Sequence, residues 1–195
     1  MNILLISLFG FLLGSIPFSV WLGRIFLHDD VRRYGADHNA GAANAWRAGK
    51  WKLGLPVLAL DFLKGAIPTG IARWGLGITG WGLLPIALAP VLGHVFSPFL
   101  GFHGGKGLAV TFGVWTGLTA PFGPFALGAA FGLGYFLLAP EAWSVMCGML
   151  LFLPYLLLGQ AGGPLLATWF CNLLLLLFKY RDELRQPLRM NTARR

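Results

Sequence analysis

Residues 81–107 read WGLLPIALAPVLGHVFSPFLGFHGGKG, and the apolar run LAVTFGVWTGLT follows at 108–119. Residues 81–99 are long enough to cross a bilayer, which takes about 20 apolar residues of helix. The run ends in a loop closed by Gly104-Gly105-Lys106-Gly107, and a second apolar segment begins at once. Three glycines around a lysine at a helix start can expose backbone N–H groups to an anion, and the helix dipole adds partial positive charge there. Set at a bilayer surface, such a cradle points to an anionic, phosphorylated compound. It is not a P-loop, because Leu108 stands where the Gly-x4-Gly-Lys-Ser/Thr spacing requires a hydroxyl.

The rest of the chain agrees with a membrane setting. Of 195 residues 56% are hydrophobic and 11% charged, with a mean hydropathy of +0.69. That is the composition of an integral membrane protein, expected here as one domain over residues 1–195. Outward from the opening stretch, apolar spans are expected at 3–27, 53–74, 81–99, 108–119, 125–138, 141–159 and 165–180, with a polar loop at 28–52. Gly and Pro clusters mark the joints: Gly14-Ser15-Ile16-Pro17 interrupts the first span, and Ala120-Pro121, Ala139-Pro140 and Gly162-Gly163-Pro164 separate later ones. The fold class is therefore all-α, a polytopic transmembrane bundle of about seven helices, in which 108–119 and 125–138 are short enough to form a re-entrant pair instead. The first apolar run is too long, and lacks the basic start, for a signal peptide. No internal repeat suggests a two-halved transporter.

The net charge of +8 is distributed as a membrane protein's would be. Basic residues gather between Arg24 and Lys52, at Lys106, and from Lys179 to Arg195, whereas between Gly107 and Phe178 the only charged residue is Glu141. Positive loops beside apolar spans are expected on the cytoplasmic side, which puts the N-terminus outside and the C-terminus in the cytoplasm. Such charge attracts anionic lipid and anionic substrates, and no nucleic-acid-binding module accompanies it. Cys147 and Cys171 lie in apolar segments and suggest neither disulfide nor metal.

Chemistry-bearing residues are few. Asp61 and Lys64 sit three apart within a span, where each charge costs at least about 2.5 kcal/mol unless it is paired or faces the protein interior. They read either as a structural ion pair or as a substrate contact through Lys64. In the first loop Gly35 and Gly41 allow tight turns, Asn39 and Asn44 offer neutral hydrogen bonds, and Arg47 offers a bidentate phosphate donor. That loop is either an ordinary solvated segment or one that lines a substrate. His94 is a packing element or a base near the membrane surface. No Ser-His-Asp, Cys-His or zinc-ligand constellation can be assembled.

Taken together, Gly14-Ser15-Ile16-Pro17, the Arg47 loop, Leu60-Asp61-Phe62-Leu63-Lys64-Gly65, His94 and Gly104-Gly105-Lys106-Gly107 resemble the bacterial acyl-phosphate:glycerol-3-phosphate acyltransferases, the PlsY family, in order and spacing. Beyond residue 110 the likeness is mainly one of hydropathy, with Ser144 at a position where the family has a serine. The resemblance implies a phospholipid-synthesis enzyme, multi-pass in the bacterial inner (plasma) membrane. It would move a fatty acyl group from acyl phosphate to the 1-hydroxyl of glycerol 3-phosphate, with membrane lipid as its surroundings and neither metal nor organic cofactor. Lys106, Arg47 and Ser144 would be catalytic, and Asn39, Gly41, Asn44, Lys64, His94, Gly104, Gly105, Gly107 and Arg181 would help bind substrate. Two departures stand out. Gly35-Ala36-Asp37-His38-Asn39 replaces a Gly-Ser-Gly-Asn run, and Tyr180-Arg181-Asp182-Glu183 keeps only the arginine of a His-Arg-x-Asn pattern. A transporter with the same anion site, or a catalytically silent paralogue, are the alternative functions.

Overall fold

The computed structural model describes residues 2–192. Eight α-helices account for most of it: α1 (Ile3–Ser15), α2 (Phe18–Leu27), α3 (Ala42–Gly70), α4 (Leu83–Val95), α5 (Leu108–Thr119), α6 (Phe122–Leu137), α7 (Glu141–Leu158) and α8 (Gly163–Leu184). Five helical segments are long and apolar enough to cross a membrane: Ile3–Leu27, Ala42–Gly75, Gly80–Leu100, Glu141–Leu158 and Gly163–Leu184. α5 and α6 are the shorter apolar helices that complete the expected seven segments.

Each break has a local cause. Pro17 cannot donate a backbone hydrogen bond and pushes Ile16 into an extended conformation (φ −62°, ψ 118°), so α1 and α2 form one span with a step in it. The expected polar loop at 28–52 is shorter than the sequence suggested. Helix resumes at Ala42 and is interrupted where Gly49 (φ −123°, ψ 16°) and Lys50 (φ 54°, ψ −148°) leave helical geometry. The first two turns of α3 are thus a lead-in that carries Asn44 and Arg47 at an angle of their own. α8 runs past the expected end at 180 to Leu184.

Large apolar side chains such as Leu4, Leu8, Phe9, Phe122, Phe125 and Leu158 point outward, as befits a protein whose solvent is lipid. Small residues let the backbones meet inside. A Cβ on Gly113 of α5 would collide with the Phe62 carbonyl of α3, and one on Gly93 of α4 with the Phe11 carbonyl of α1. The main core gathers Val91, Val95, Trp115, Phe152, Leu176 and Tyr180, with Trp115 edge-on to Phe152 at 5.1 Å. A second cluster, Val20, Val31, Ala40, Ala45, Leu53 and Val57, pins the first loop against α2 and α3. After α8 the chain folds back: a two-residue strand β2 (Arg189–Met190) pairs antiparallel with β1 (Leu138–Ala139) at the α6–α7 joint. The Asn191 N–H donates to Leu137 O at 2.8 Å and Trp143 Nε1 to Gln186 O at 3.0 Å, which holds the end of α8 over the bundle.

Candidate active site

The loop after α4 doubles back on the helix it leaves. Ser97 Oγ donates to Ser15 O at 2.5 Å, and the N–H groups of Gly104 and Gly105 donate to Val95 O and His94 O, both at 3.1 Å. Lys179 Nζ of α8 donates to Gly104 O at 2.9 Å. Gly105 must lack a Cβ because the His94 ring fills that space, and Gly107 takes a left-handed turn (φ 87°) into α5. Lys106 is thereby carried inward between Asp37 and Glu183. Its Nζ lies 2.7 Å from Asp37 Oδ2, in direct contact with Glu183 Oε1, and 4.7 Å above the Tyr180 ring. Burial alone would lower the pKa of this ammonium, but hydrogen bonds and charge from Asp37 and Glu183 outweigh it and the net shift is upward. Burial would likewise raise the Asp37 carboxyl. Lys106 and Asn44 reverse that, and it is held below its ordinary value. The site therefore keeps both groups charged at neutral pH.

The first loop is built to hold this arrangement. Arg32 donates to Asp30 through Nε at 3.0 Å and Nη2 at 2.6 Å, and these hydrogen bonds, working against partial burial, keep the Asp30 carboxyl at about 2. Asn44, fully buried at the start of α3, donates from Nδ2 to Asp37 Oδ1 at 3.1 Å and to Asn39 O at 2.9 Å, while its Oδ1 accepts from Arg47 Nη1. Gly35 lies against the Asn44 amide, where any Cβ would collide with it. Asp37, Asn44 and Arg47 thus form one relay that aims the guanidinium.

These groups line a cavity of about 1070 Å³ that also takes in Asn39, Gly41, Asp61, His94, Glu141 and Gln186. A second cavity of about 710 Å³ runs between α5, α6 and α7 and is lined mainly by apolar or small residues, among them Phe131, Gly128 and Gly132. The two share Ala43, Arg47, Leu108, Phe112 and Glu141, so a charged chamber opens onto an apolar one. Among the described residues no three His, Cys, Asp or Glu side chains converge as a metal-ligand set would.

The family described as "Glycerol-3-phosphate acyltransferase" matches residues 4–189. The chain belongs to that family. "Glycerol-3-phosphate acyltransferase 1" of Thermotoga maritima is 37% identical over 203 residues, covering 97% of this chain and 98% of the relative. Two crystal structures of PlsY (YgiH), an integral membrane glycerol 3-phosphate acyltransferase, are similar in fold. The glycerol 3-phosphate form superimposes with a TM-score of 0.85 at 30% identity, and the lysophosphatidic acid form with 0.82 at 29%. Each covers 94% of this chain and 90% of the solved one.

Within this acyltransferase fold the residues expected from sequence separate into groups. Lys106, Arg47, Asn39, Gly41, His94 and Gly107 line the larger cavity together, and Asn44 stands behind them as the support of Arg47. Five others are placed elsewhere. Gly104 and Gly105 have committed their amides to Val95 and His94, and the backbone that lines the chamber here is the start of α5, at Gly107, Leu108 and Ala109, where a helix leaves its first N–H groups without internal partners. Lys64 is 1% exposed and pairs with Asp61 at 2.7 Å while donating to Ile16 O at 3.0 Å, the carbonyl beside the Pro17 break; it is a structural brace between α3 and the first span. Arg181 projects outward over Phe178 and donates to Phe178 O at 2.9 Å, because one residue along α8 turns it about 100° away from the inward-facing Tyr180. Ser144 lines the apolar chamber instead, its hydroxyl donating to Leu138 O at 3.0 Å.

Sequence reasoning missed Asp37, Glu141, Tyr180, Glu183 and Gln186 as components of the chamber. For Glu141 the signal was present: a lone charge in a long apolar region is an expected functional position. In the sequence Tyr180 and Glu183 stand out only as departures from the family pattern, and nothing local says that they close on Lys106.

Proposed function

We propose that the chain, folded as a single membrane domain, catalyses transfer of a fatty acyl group from acyl phosphate to the 1-hydroxyl of glycerol 3-phosphate, at the cytoplasmic face of a bacterial inner membrane. Lysophosphatidic acid and inorganic phosphate are the products. The observation that carries this reading is the convergence of Lys106, from the glycine-lysine loop, and Arg47, from the start of α3, on one chamber that continues into an apolar one. A phosphorylated acyl donor has the same division, an anionic head and an apolar tail.

No serine, threonine or cysteine lines the larger chamber, and its one hydroxyl, on the buried Tyr180, is turned to Glu141 Oε1 at 3.3 Å. Direct transfer needs no enzyme nucleophile, because the acyl phosphate is already activated. The glycerol 1-hydroxyl oxygen attacks the carbonyl carbon and the carbon–oxygen bond to phosphate breaks. The hydroxyl proton leaves with the departing phosphate. Lys106 and Arg47 hold the two phosphates at bonding distance of one another's reactive atoms and stabilise the charge that develops on the leaving group. His94 stands at the floor of the chamber, with Nδ1 3.9 Å from Asp61 Oδ1, and helps to bound the acceptor. The positive charge of the loops at this end of the bundle supports a cytoplasmic position for it, with the N-terminus outside and the C-terminus inside.

Purified protein given palmitoyl phosphate and labelled glycerol 3-phosphate in detergent is expected to form labelled lysophosphatidic acid. Passage of the label into sealed vesicles without product would make the protein a transporter, and neither outcome would make it a silent binding protein.

The acyl chain is assigned to the second chamber. A Cβ at Gly128 or Gly132 would meet open space there. Gly132→Leu should therefore shorten the chain the enzyme accepts. Excluding two methylenes, at about 0.8 kcal/mol each, lowers turnover of the 16-carbon donor roughly tenfold relative to an 8-carbon donor. An unchanged chain-length profile would remove the acyl chain from this chamber.

A further inference from the structure

Asp61 is matched by the buried Lys64. The chamber walls are otherwise left with two cations, Lys106 and Arg47, facing three carboxylates, Asp37, Glu141 and Glu183. A phosphate dianion cannot settle beside Lys106 while two carboxylates hold that ammonium. One of the two is fixed. Asp37 also accepts from Asn44 Nδ2 at 3.1 Å and from the Asn39 N–H at 3.3 Å. Glu183 is not. Among the described residues its carboxylate has Lys106 as its single hydrogen-bond donor, and it stands in the last turn of α8 on a longer side chain that is partly open to solvent. Lys106 does not depend on Glu183 for its position, since Asp37 and the face of Tyr180 remain against it.

We propose that Glu183 is a built-in rival of the substrate phosphate, which occupies Lys106 in the empty enzyme, swings outward when a phosphate enters, and so sets the affinity of the acceptor site. This rests on the assignment of a substrate phosphate to Lys106. A carboxylate and a phosphate oxygen ask for the same charge-assisted hydrogen bond from the ammonium, and the dianion makes the stronger one. The apparent dissociation constant is then the intrinsic one divided by the fraction of molecules in which Lys106 is released. Deleting the rival brings that fraction to one. A merely supporting Glu183 has the opposite consequence: without it Lys106 loses its place and phosphate binds more weakly.

The test is a titration of the purified full chain in detergent with inorganic phosphate and, separately, glycerol 3-phosphate, with no acyl donor present. Glu183→Gln, nearly isosteric, and Glu183→Ala, which deletes the group, are each expected to bind inorganic phosphate about tenfold more tightly than wild type. In turnover the KM for glycerol 3-phosphate falls while kcat does not rise with it. In a Lys106→Ala background the gain is much smaller, because only the repulsion of one carboxylate is then relieved and there is no longer a cation to compete for. Equal or weaker phosphate binding by Glu183→Gln overturns the proposal. The binding measurement uses no acyl phosphate, so a wild-type protein that formed no lysophosphatidic acid would sink the acyl-transfer reading and leave this result standing.

Discussion

Lys106→Ala is expected to lower the rate of lysophosphatidic acid formation by roughly a hundredfold, the loss seen when one preorganised donor to a developing negative charge is removed. Here the loss has a second source. Asp37 and Glu183 both lean on this ammonium, so its removal leaves two carboxylates in the chamber with nothing between them. The mutant site repels the phosphates it should gather. Helix content should be unaffected, since the loop is held by the backbone hydrogen bonds of Gly104 and Gly105 and by Lys179. Lys106→Arg should restore only part of the rate, because the broader, planar guanidinium does not fit between Asp37 and Glu183 as a compact ammonium does. Arg47→Ala is expected to cost about tenfold, the guanidinium being more exposed than the Lys106 ammonium. Initial rates at saturating concentrations of both substrates, alongside circular dichroism, check all three. Wild-type turnover by a folded Lys106→Ala protein would remove the phosphate contact from this lysine.

The largest loss of stability is expected at Lys64. With Lys64→Met, Asp61 stays 2% exposed inside α3 with only His94, 3.9 Å away, near its carboxylate, and Ile16 O loses its lysine donor. Breaking a buried pair by removing one partner costs about 3–5 kcal/mol. The thermal midpoint in detergent should fall steeply and the yield of monodisperse protein with it. Lys64→Met combined with Asp61→Asn should recover much of that loss, since no uncompensated charge remains, and the pair coupling is read from the double-mutant cycle. A Lys64→Met protein as heat-resistant as wild type would mean that the lysine braces nothing. This outcome separates the two readings that the sequence left open for Asp61 and Lys64, because a substrate contact would affect turnover far more than stability.

The placement of Lys64 illustrates what could be inferred in advance. Two charges three residues apart in a membrane helix announce a pair, because lipid offers neither of them another partner. That the lysine should also reach Ile16 required the α1–α2 step to lie beside α3, which no local pattern records. The glycine-lysine loop shows the same division. Its position before α5 was plain from composition, yet the two amides that looked most available are closed by His94 and Val95. Backbone donors in a loop go to whatever acceptor the fold presents, and here that acceptor is the end of the preceding helix.

The helices themselves were legible because a bilayer demands it: every spanning backbone must satisfy its own hydrogen bonds, so apolar length and Gly-Pro punctuation together set out the seven apolar segments. The same constraint made the Pro17 step and the short α5 and α6 visible. Boundaries governed by tertiary contact were not. α3 begins at Ala42, ahead of the expected span, because Ala45 and the nearby Val31 are buried together against α2. α8 continues to Leu184 because the β1–β2 strap holds its end. The amino-acid sequence by itself therefore determined a helical membrane protein with cationic loops and one lysine set among glycines. Only the tertiary structure decided that Asp37 and Glu183 close on that lysine and that Arg47 is aimed by Asn44. It also decided that an apolar chamber opens beside them. Hydropathy is a property each segment carries alone, whereas a charge's partner is whatever side chain the packed helices bring within a few ångströms of it.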